Sequence, residues 1–231
     1  MGDLCANRIS FYENGRKWRL ILVRNTEHPI GPFWYLPHDN ENAALDSAVY
    51  AVKKYGGGFL AVEAEGERYS HGQDPNRYFK VSSTYTRTIF KIIDTFKAKG
   101  MPYLTLHNNK ESHMKFGGNG TVSIRVSSRN TFSYPSGKVL IGRHKGLKDE
   151  DNLIYLAGTK DHKKFIHTLH QEGIHVKYEI PDRHHNDHSM SNYVMLYKKN
   201  KNYFNIETEV GDTATQKKII DTLMKVIYLH H

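Results

Sequence analysis

Residues 33–41 read Phe33-Trp34-Tyr35-Leu36-Pro37-His38-Asp39-Asn40-Glu41. Phe33 to Leu36 has the apolar, aromatic make-up of a short strand. An imidazole, His38, and a carboxylate, Glu41, follow three residues apart. From Asn42 to Tyr55, apolar residues fall at Ala44, Leu45, Ala48, Val49 and Val52. That spacing puts them on one face of a helix. Gly56-Gly57-Gly58 ends the helix, and Phe59 to Val62 reads as the next strand. The stretch is therefore a strand–helix–strand unit with polar residues at its first junction.

The same alternation extends outward. Leu20-Ile21-Leu22-Val23 reads as an earlier strand. Thr84 to Lys99 reads as a helix with Ile89, Ile92, Ile93 and Phe96 on one face, and Met101 to Leu106 as a strand ending on His107. Asn108 to Asp151 is rich in Gly, Ser and Asn and reads as loops and short strands. Then come a strand at Leu153–Leu156, a helix at Lys160–Gln171 stopped by Gly173, and a strand at Ile174–Ile180. Two more strands are expected at Tyr193–Tyr197 and Tyr203–Glu207, and a closing helix at Thr213–Tyr228. Alternating strands and helices predict an α/β protein: a three-layer α/β/α sandwich around a mixed, largely parallel sheet. Sites in such sheets gather outside the carboxyl ends of strands. His38, His107 and Glu207 all lie at or just past such ends.

With 231 residues the chain can bury one good core, so residues 1–231 are read as a single catalytic domain. Hydrophobic residues make up 38% and charged residues 25%, which is globular composition. No apolar run reaches the roughly 18–20 residues of a transmembrane helix. The single cysteine, Cys5, excludes an intrachain disulfide and a Cys-rich zinc module. The net charge of +9 favours anionic partners. Lys and Arg are scattered rather than interleaved with aromatics in a stripe, so no nucleic-acid partner is expected. The compartment stays open, with a secreted or periplasmic location placed ahead of the cytoplasm.

A catalytic zinc ion takes about three protein ligands from His, Asp or Glu and keeps one position open. His38 and Glu41 are a close pair of that type, with Glu41 placed in the first turn of the following helix, and His107 is a distant third. In a chain with 15 histidines the pair alone is weak, and His71, His113 and His144 are rival third ligands. Order carries more weight than the pair. His-x-x-Glu after a strand is followed by Arg68, by Asp74-Pro75-Asn76-Arg77 and an aromatic, by a strand ending in His107, and by a late strand ending in Glu207.

This series resembles the zinc carboxypeptidase family with its carboxypeptidase A-like fold, including the succinylglutamate desuccinylase and aspartoacylase branch. The resemblance spans roughly Phe33 to Gly211. It implies one zinc ion held by His38, Glu41 and His107. Glu207 is implied as general base and proton shuttle, with Glu209 its rival, because residues two apart on a strand share a face. Arg68 is implied as the oxyanion-stabilising arginine. Asn76 and Arg77 are implied as the pair that binds the substrate's free carboxylate, for which a guanidinium is suited. Asp74 is implied as the acceptor that orients His38 through its non-ligating nitrogen.

The chain departs from the family at Asp39-Asn40, where many relatives have Gly-Asn; the aspartate could crowd or charge the pocket. The family's mobile tyrosine has no clear counterpart, with Tyr193 and Tyr178 as candidates. Arg183-His184-His185-Asn186-Asp187-His188 is read as a solvated loop beside the cleft, with a second metal site or a recognition loop as alternatives. The resemblance implies a zinc-dependent metallopeptidase of the carboxypeptidase kind, cleaving an amide beside a free carboxylate; an exported enzyme acting on cell-wall peptides (peptidoglycan) would fit the basic charge. A deacylase of a small N-acyl amino acid and a non-catalytic binding protein on the same fold are the alternatives.

Overall fold

The computed structural model describes residues 3–110, 113–128, 130–136, 150–158, 163–199 and 201–230. Its strands are β1 (Leu4–Glu13), β2 (Arg16–Asn25), β3 (Phe33–Leu36), β4 (Gly58–Val62), β5 (Tyr103–Asn109), β6 (Thr131–Tyr134), β7 (Leu153–Ala157), β8 (His175–Glu179) and β9 (Tyr203–Glu209). Its helices are α1 (Asn42–Tyr55), α2 (Thr84–Phe96), α3 (Lys163–Gln171), α4 (Met190–Tyr197) and α5 (Thr213–Leu229). All nine described strands form one sheet in the order β1-β2-β4-β3-β5-β9-β7-β8-β6.

The α/β sandwich is as the sequence predicts, and its sheet is mixed. The block β4-β3-β5-β9 is parallel throughout, as is the pair β7-β8. The pairs β1-β2, β2-β4, β9-β7 and β8-β6 are antiparallel. Parallel pairing therefore dominates where the crossover helices lie, in the middle of the sheet. There β3, β4, β5 and β9 are buried at every position, as strands covered on both faces must be.

Two apolar clusters flank the sheet. On one face α1, α3 and α5 pack Ala48, Val52, Leu169, Ile220 and Leu223 over Trp34, Leu106 and Ile206. On the other, α2 and α4 pack Ile89, Phe90, Ile93, Met190 and Val194 over Phe33, Tyr35 and Tyr203. Each fully buried large side chain contributes about 1.5–3 kcal/mol, so both layers are needed to offset chain entropy.

Three elements differ from expectation. Tyr193–Tyr197 is not a strand but part of helix α4. Its apolar run fits either period, and two local features settle it: the Ser189 hydroxyl caps the helix by accepting from the Asn192 N–H at 3.3 Å, and Met190 and Val194, one turn apart, are buried. β1 has no counterpart in the sequence pattern, because it is mostly exposed and offers little apolar alternation. It pairs with β2 through the two-residue turn Asn14-Gly15, both at positive φ, a pairing suited to tight hairpins. β5 runs on to Asn109, so His107 lies within the strand. The expected helix start at Lys160 and the rival ligand His144 lie outside the described residues.

Gly57 lets the chain between α1 and β4 pass close to the segment that leads into β3. It sits at φ +73°, and a Cβ there would collide with the Pro32 carbonyl oxygen. Gly57→Ala combines left-handed strain with that collision and should destabilise the fold by more than about 1 kcal/mol. Chemical denaturation would reveal it; an unchanged midpoint would show that the 30–33 segment can give way.

Candidate metal centre

His38 follows β3, and Glu41 immediately precedes α1. Glu41 is the residue capping α1 rather than one in its first turn, and its side chain makes no capping bond. Asn108 on β5 takes over that task, its Oδ1 accepting from the Ala44 N–H at 3.0 Å. The Glu41 carboxylate is thereby free to face inward. His38 Nδ1 lies 2.8 Å from Glu41 Oε1, and Arg68 Nη1 donates to the same oxygen at 2.9 Å. His107 Nδ1 stands 3.5 Å from Glu41 Oε2, and the two imidazoles meet edge to face with centroids 4.9 Å apart.

His38, Glu41 and His107 are all buried, and one donor atom of each lies within 4.8 Å of the others. No other group of three metal-binding side chains gathers among the described residues. Glu41 Oε2 and His107 Nε2 are buried without hydrogen-bond partners. A buried carboxylate oxygen lacking a donor is costly, and a cation between these side chains would remove that cost. Two imidazoles and one carboxylate suit zinc. The residues present therefore fit the ion.

Asp74 lies on the far side of His38, its Oδ1 3.0 Å from Nε2. The same oxygen accepts from the Asn76 N–H at 2.8 Å and caps the short turn Pro75–Arg77. One carboxylate thus orients His38 and sets the placement of Asn76 and Arg77. Burial alone would raise the Asp74 carboxyl, but the hydrogen bond and charge of His38 outweigh it and hold it low. Burial likewise opposes ionisation of Glu41, and the neighbouring His107 and His38 reverse that and hold it far below the usual range.

β5 and β9 run parallel with His107 level with Glu207, so the two side chains share a face. Glu207 accepts from Asn205 Nδ2 at 2.8 Å. Burial pushes its carboxyl up and the Glu41 charge adds to this, against His107. Beside Glu207 opens a cavity of about 330 Å³ whose wall also includes Asn76, Arg77, Tyr155, Glu179 and Asn205. Glu207 lines it and Glu209 does not. Arg77 is half-exposed, with its Nε 3.5 Å from Asp187.

Other candidates fall elsewhere. His71 is bound to the Lys17 carbonyl, and the His113 ring caps the Lys115 N–H. Asp39 clamps a neighbouring loop by accepting from the Ala64 and Gly66 N–H groups at 2.7 and 2.8 Å. Tyr178 is buried in the cluster on the opposite face, and Tyr193 stacks on Phe90. Neither lines the cavity; the tyrosines that do are Tyr155 and Tyr203. In the loop before α4, Asp182 caps the exposed turn Arg183–His185, as a solvated loop would.

Sequence reasoning missed Asn108, Asn205 and Glu179. Asn205 and Glu207 share a face by their i, i+2 spacing on one strand, a signal present in the sequence. Glu179 lies on a strand two places along the sheet, and only the strand order brings it to the cavity. Burial pushes its carboxyl up from 4.5 to about 7, Asp187 adds to this, and Asn192, Ser191 and Arg77 offset only part. Its folded pKa is raised, so between pH 4.5 and about 7 the folded chain holds a proton that the unfolded chain has released. The stabilisation is full at the low end and lost as pH rises through 7. Glu179→Gln should therefore melt higher than the parent at pH 8 and show no such gain at pH 5. Equal shifts at both values would contradict the assignment.

No protein-family model and no curated protein sequence matches the chain. Among solved structures, an aspartoacylase family protein from Mesorhizobium loti matches with a TM-score of 0.51 at 12% identity, over 99% of this chain and 68% of that one. A candidate metallopeptidase from Shewanella amazonensis gives 0.49 at 12% identity, over 97% and 86%. A candidate carboxypeptidase A from Shewanella denitrificans gives 0.48 at 10% identity, over 97% and 62%. The first match shows a shared fold.

Proposed function

We propose that the chain is a zinc-dependent hydrolase of the carboxypeptidase kind, cleaving an amide bond beside a free carboxylate. The observation that carries this is the convergence of buried His38, Glu41 and His107 beside a cavity that holds a buried carboxylate, Glu207, and an arginine, Arg77. His38, Glu41 and His107 would hold the ion. Bound there, zinc supplies Lewis-acid chemistry, polarising a carbonyl and making water acidic near pH 7.

The remaining tasks fall to the chain. Glu207 takes a proton from the attacking water at its carboxylate and returns it to the leaving nitrogen. Burial suits it to the first step, because a carboxyl with a raised pKa takes up a proton more readily; the more basic leaving nitrogen then draws that proton off. Arg68, held on Glu41, places a positive charge at the edge of the centre, where negative charge grows on the carbonyl oxygen. Arg77 and Asn76 hold the substrate carboxylate and so fix the scissile bond relative to Glu207. Asp74 keeps His38 in one orientation.

A deacylase of N-acyl amino acids is the second reading, prompted by the fold shared with an aspartoacylase family protein. It would use the same residues on a smaller acyl group. One panel tests both: short peptides with free C-termini, cell-wall peptides among them, alongside N-acetyl and N-succinyl amino acids, assayed with zinc-loaded protein whose metal content is measured by mass spectrometry. Hydrolysis of peptides alone supports the first reading, and of the acyl amino acids alone the second. Stoichiometric zinc without hydrolysis of either class would leave a binding protein on this fold.

A further inference from the structure

The cavity beside Glu207 has a wall to which the reaction gives no task. It is formed by Glu179 on β8, Asn205 on β9 and Ser191 at the start of α4. Both Glu179 oxygens accept from neutral groups only: Oε2 from the Ser191 hydroxyl at 3.0 Å and Oε1 from Asn192 Nδ2 at 3.1 Å. Among the described residues no ammonium or guanidinium pairs with it. Asn205 is 6% exposed; its Nδ2 is spent on Glu207, and its Oδ1 is buried without a partner. Asn192 Oδ1, beside Glu179, is also buried and unpartnered. The buried polar atoms left without a partner on this wall are thus both acceptors.

Acceptors left open in a buried wall call for a donor, and a carboxylate beside them that only neutral groups bind calls for a positive one. Lys177, two residues before Glu179, does not answer. Its ammonium donates to the carbonyl oxygens of Ser123, at 2.7 Å, and Val126. Glu179, by contrast, lies close enough to Arg77 to feel its charge. Arg77 and Glu179 line the same cavity, so a residue held at Arg77 by its carboxylate can reach the Glu179 wall with its side chain.

We propose that Glu179, with Asn205 Oδ1, receives a cationic side chain, a lysine-like ammonium or an arginine-like guanidinium, on the residue whose carboxylate Arg77 holds. This deepens the hydrolase reading above and rests on it for the role of Arg77. Each hydrogen bond in the pair would be charge-assisted and shielded from water, the setting in which such bonds discriminate most.

The test has a kinetic and a binding arm, with the melting curve of each variant taken to verify folding. Zinc-loaded protein is given peptides that differ only in a C-terminal Lys, Arg, Leu or Glu. The basic peptides should be cleaved with at least ~10-fold higher kcat/KM than the Leu peptide, and Glu179→Gln should remove most of that ratio. Equal cleavage of Leu and Lys peptides, or a preference that survives in Glu179→Gln, overturns the proposal. In the binding arm L-lysine and L-norleucine are titrated calorimetrically into the protein without added zinc. Lysine binding that norleucine does not share, and that Glu179→Gln loses, sustains the pocket even if no peptide is cleaved; the hydrolase reading then falls alone. Indistinguishable heats for the two amino acids overturn the pocket whatever the kinetics show.

Discussion

Glu207→Gln should lower turnover by about 10²- to 10⁴-fold, the usual contribution of a positioned general base. The variant keeps the shape of the side chain and leaves an oxygen to accept from Asn205 Nδ2, now 2.8 Å from Glu207 Oε1. It removes only the ability to take a proton. Zinc content and melting temperature should therefore stay close to those of the parent, and the loss should fall on kcat rather than KM. Steady-state kinetics with parallel metal analysis checks this. Activity within a few-fold of the parent would move the base elsewhere, and Glu209→Gln, expected to be mild, would then be the next variant to measure. Glu209 follows Glu207 on the same strand but does not line the cavity.

His107→Ala should abolish stabilisation by zinc. At a metal concentration about a thousandfold above the dissociation constant, binding to the folded state adds about 4 kcal/mol. For a chain of this size that raises the melting temperature by roughly 10 °C. His107 supplies one of three buried donors, and without it His38 and Glu41 alone hold the ion too weakly to give that shift. Differential scanning fluorimetry with and without zinc reads the effect directly. His113→Ala is the control, because its ring is occupied with the Lys115 N–H at 3.1 Å, outside the centre. A zinc shift that survives in His107→Ala and vanishes in His113→Ala would break the assignment.

Both experiments concern residues that the sequence singled out, and the reason they stood out is local. His38 and Glu41 sit at a strand–helix junction, where the apolar period of a strand gives way to that of a helix and polar residues interrupt it. The strand–helix alternation that frames them is a one-dimensional signal, and it predicted the sandwich. Tyr193–Tyr197 failed by the same logic. A short apolar run satisfies both periods, and the Ser189 cap and the packing of Met190 and Val194 chose helix. The sequence does not mark β1 as a strand, because an exposed edge strand needs little hydrophobic patterning, although Asn14-Gly15 marks its turn.

By itself, then, the sequence determined the α/β alternation, the His38–Glu41 pair and the order in which Arg68, Asp74, Arg77, His107 and Glu207 follow. These depend on spacing along one chain. The tertiary structure decided which of them meet. Strand order sets β5 beside β3 and β9, and the parallel register sets His107 level with Glu207. Asn108 caps α1 from a neighbouring strand and so frees Glu41 to turn inward. Glu179 reaches the cavity because β8 lies two strands from β9, and only long-range pairing fixes that placement. Register and burial are properties of the packed sheet, and they turn a spaced series of polar residues into a single centre.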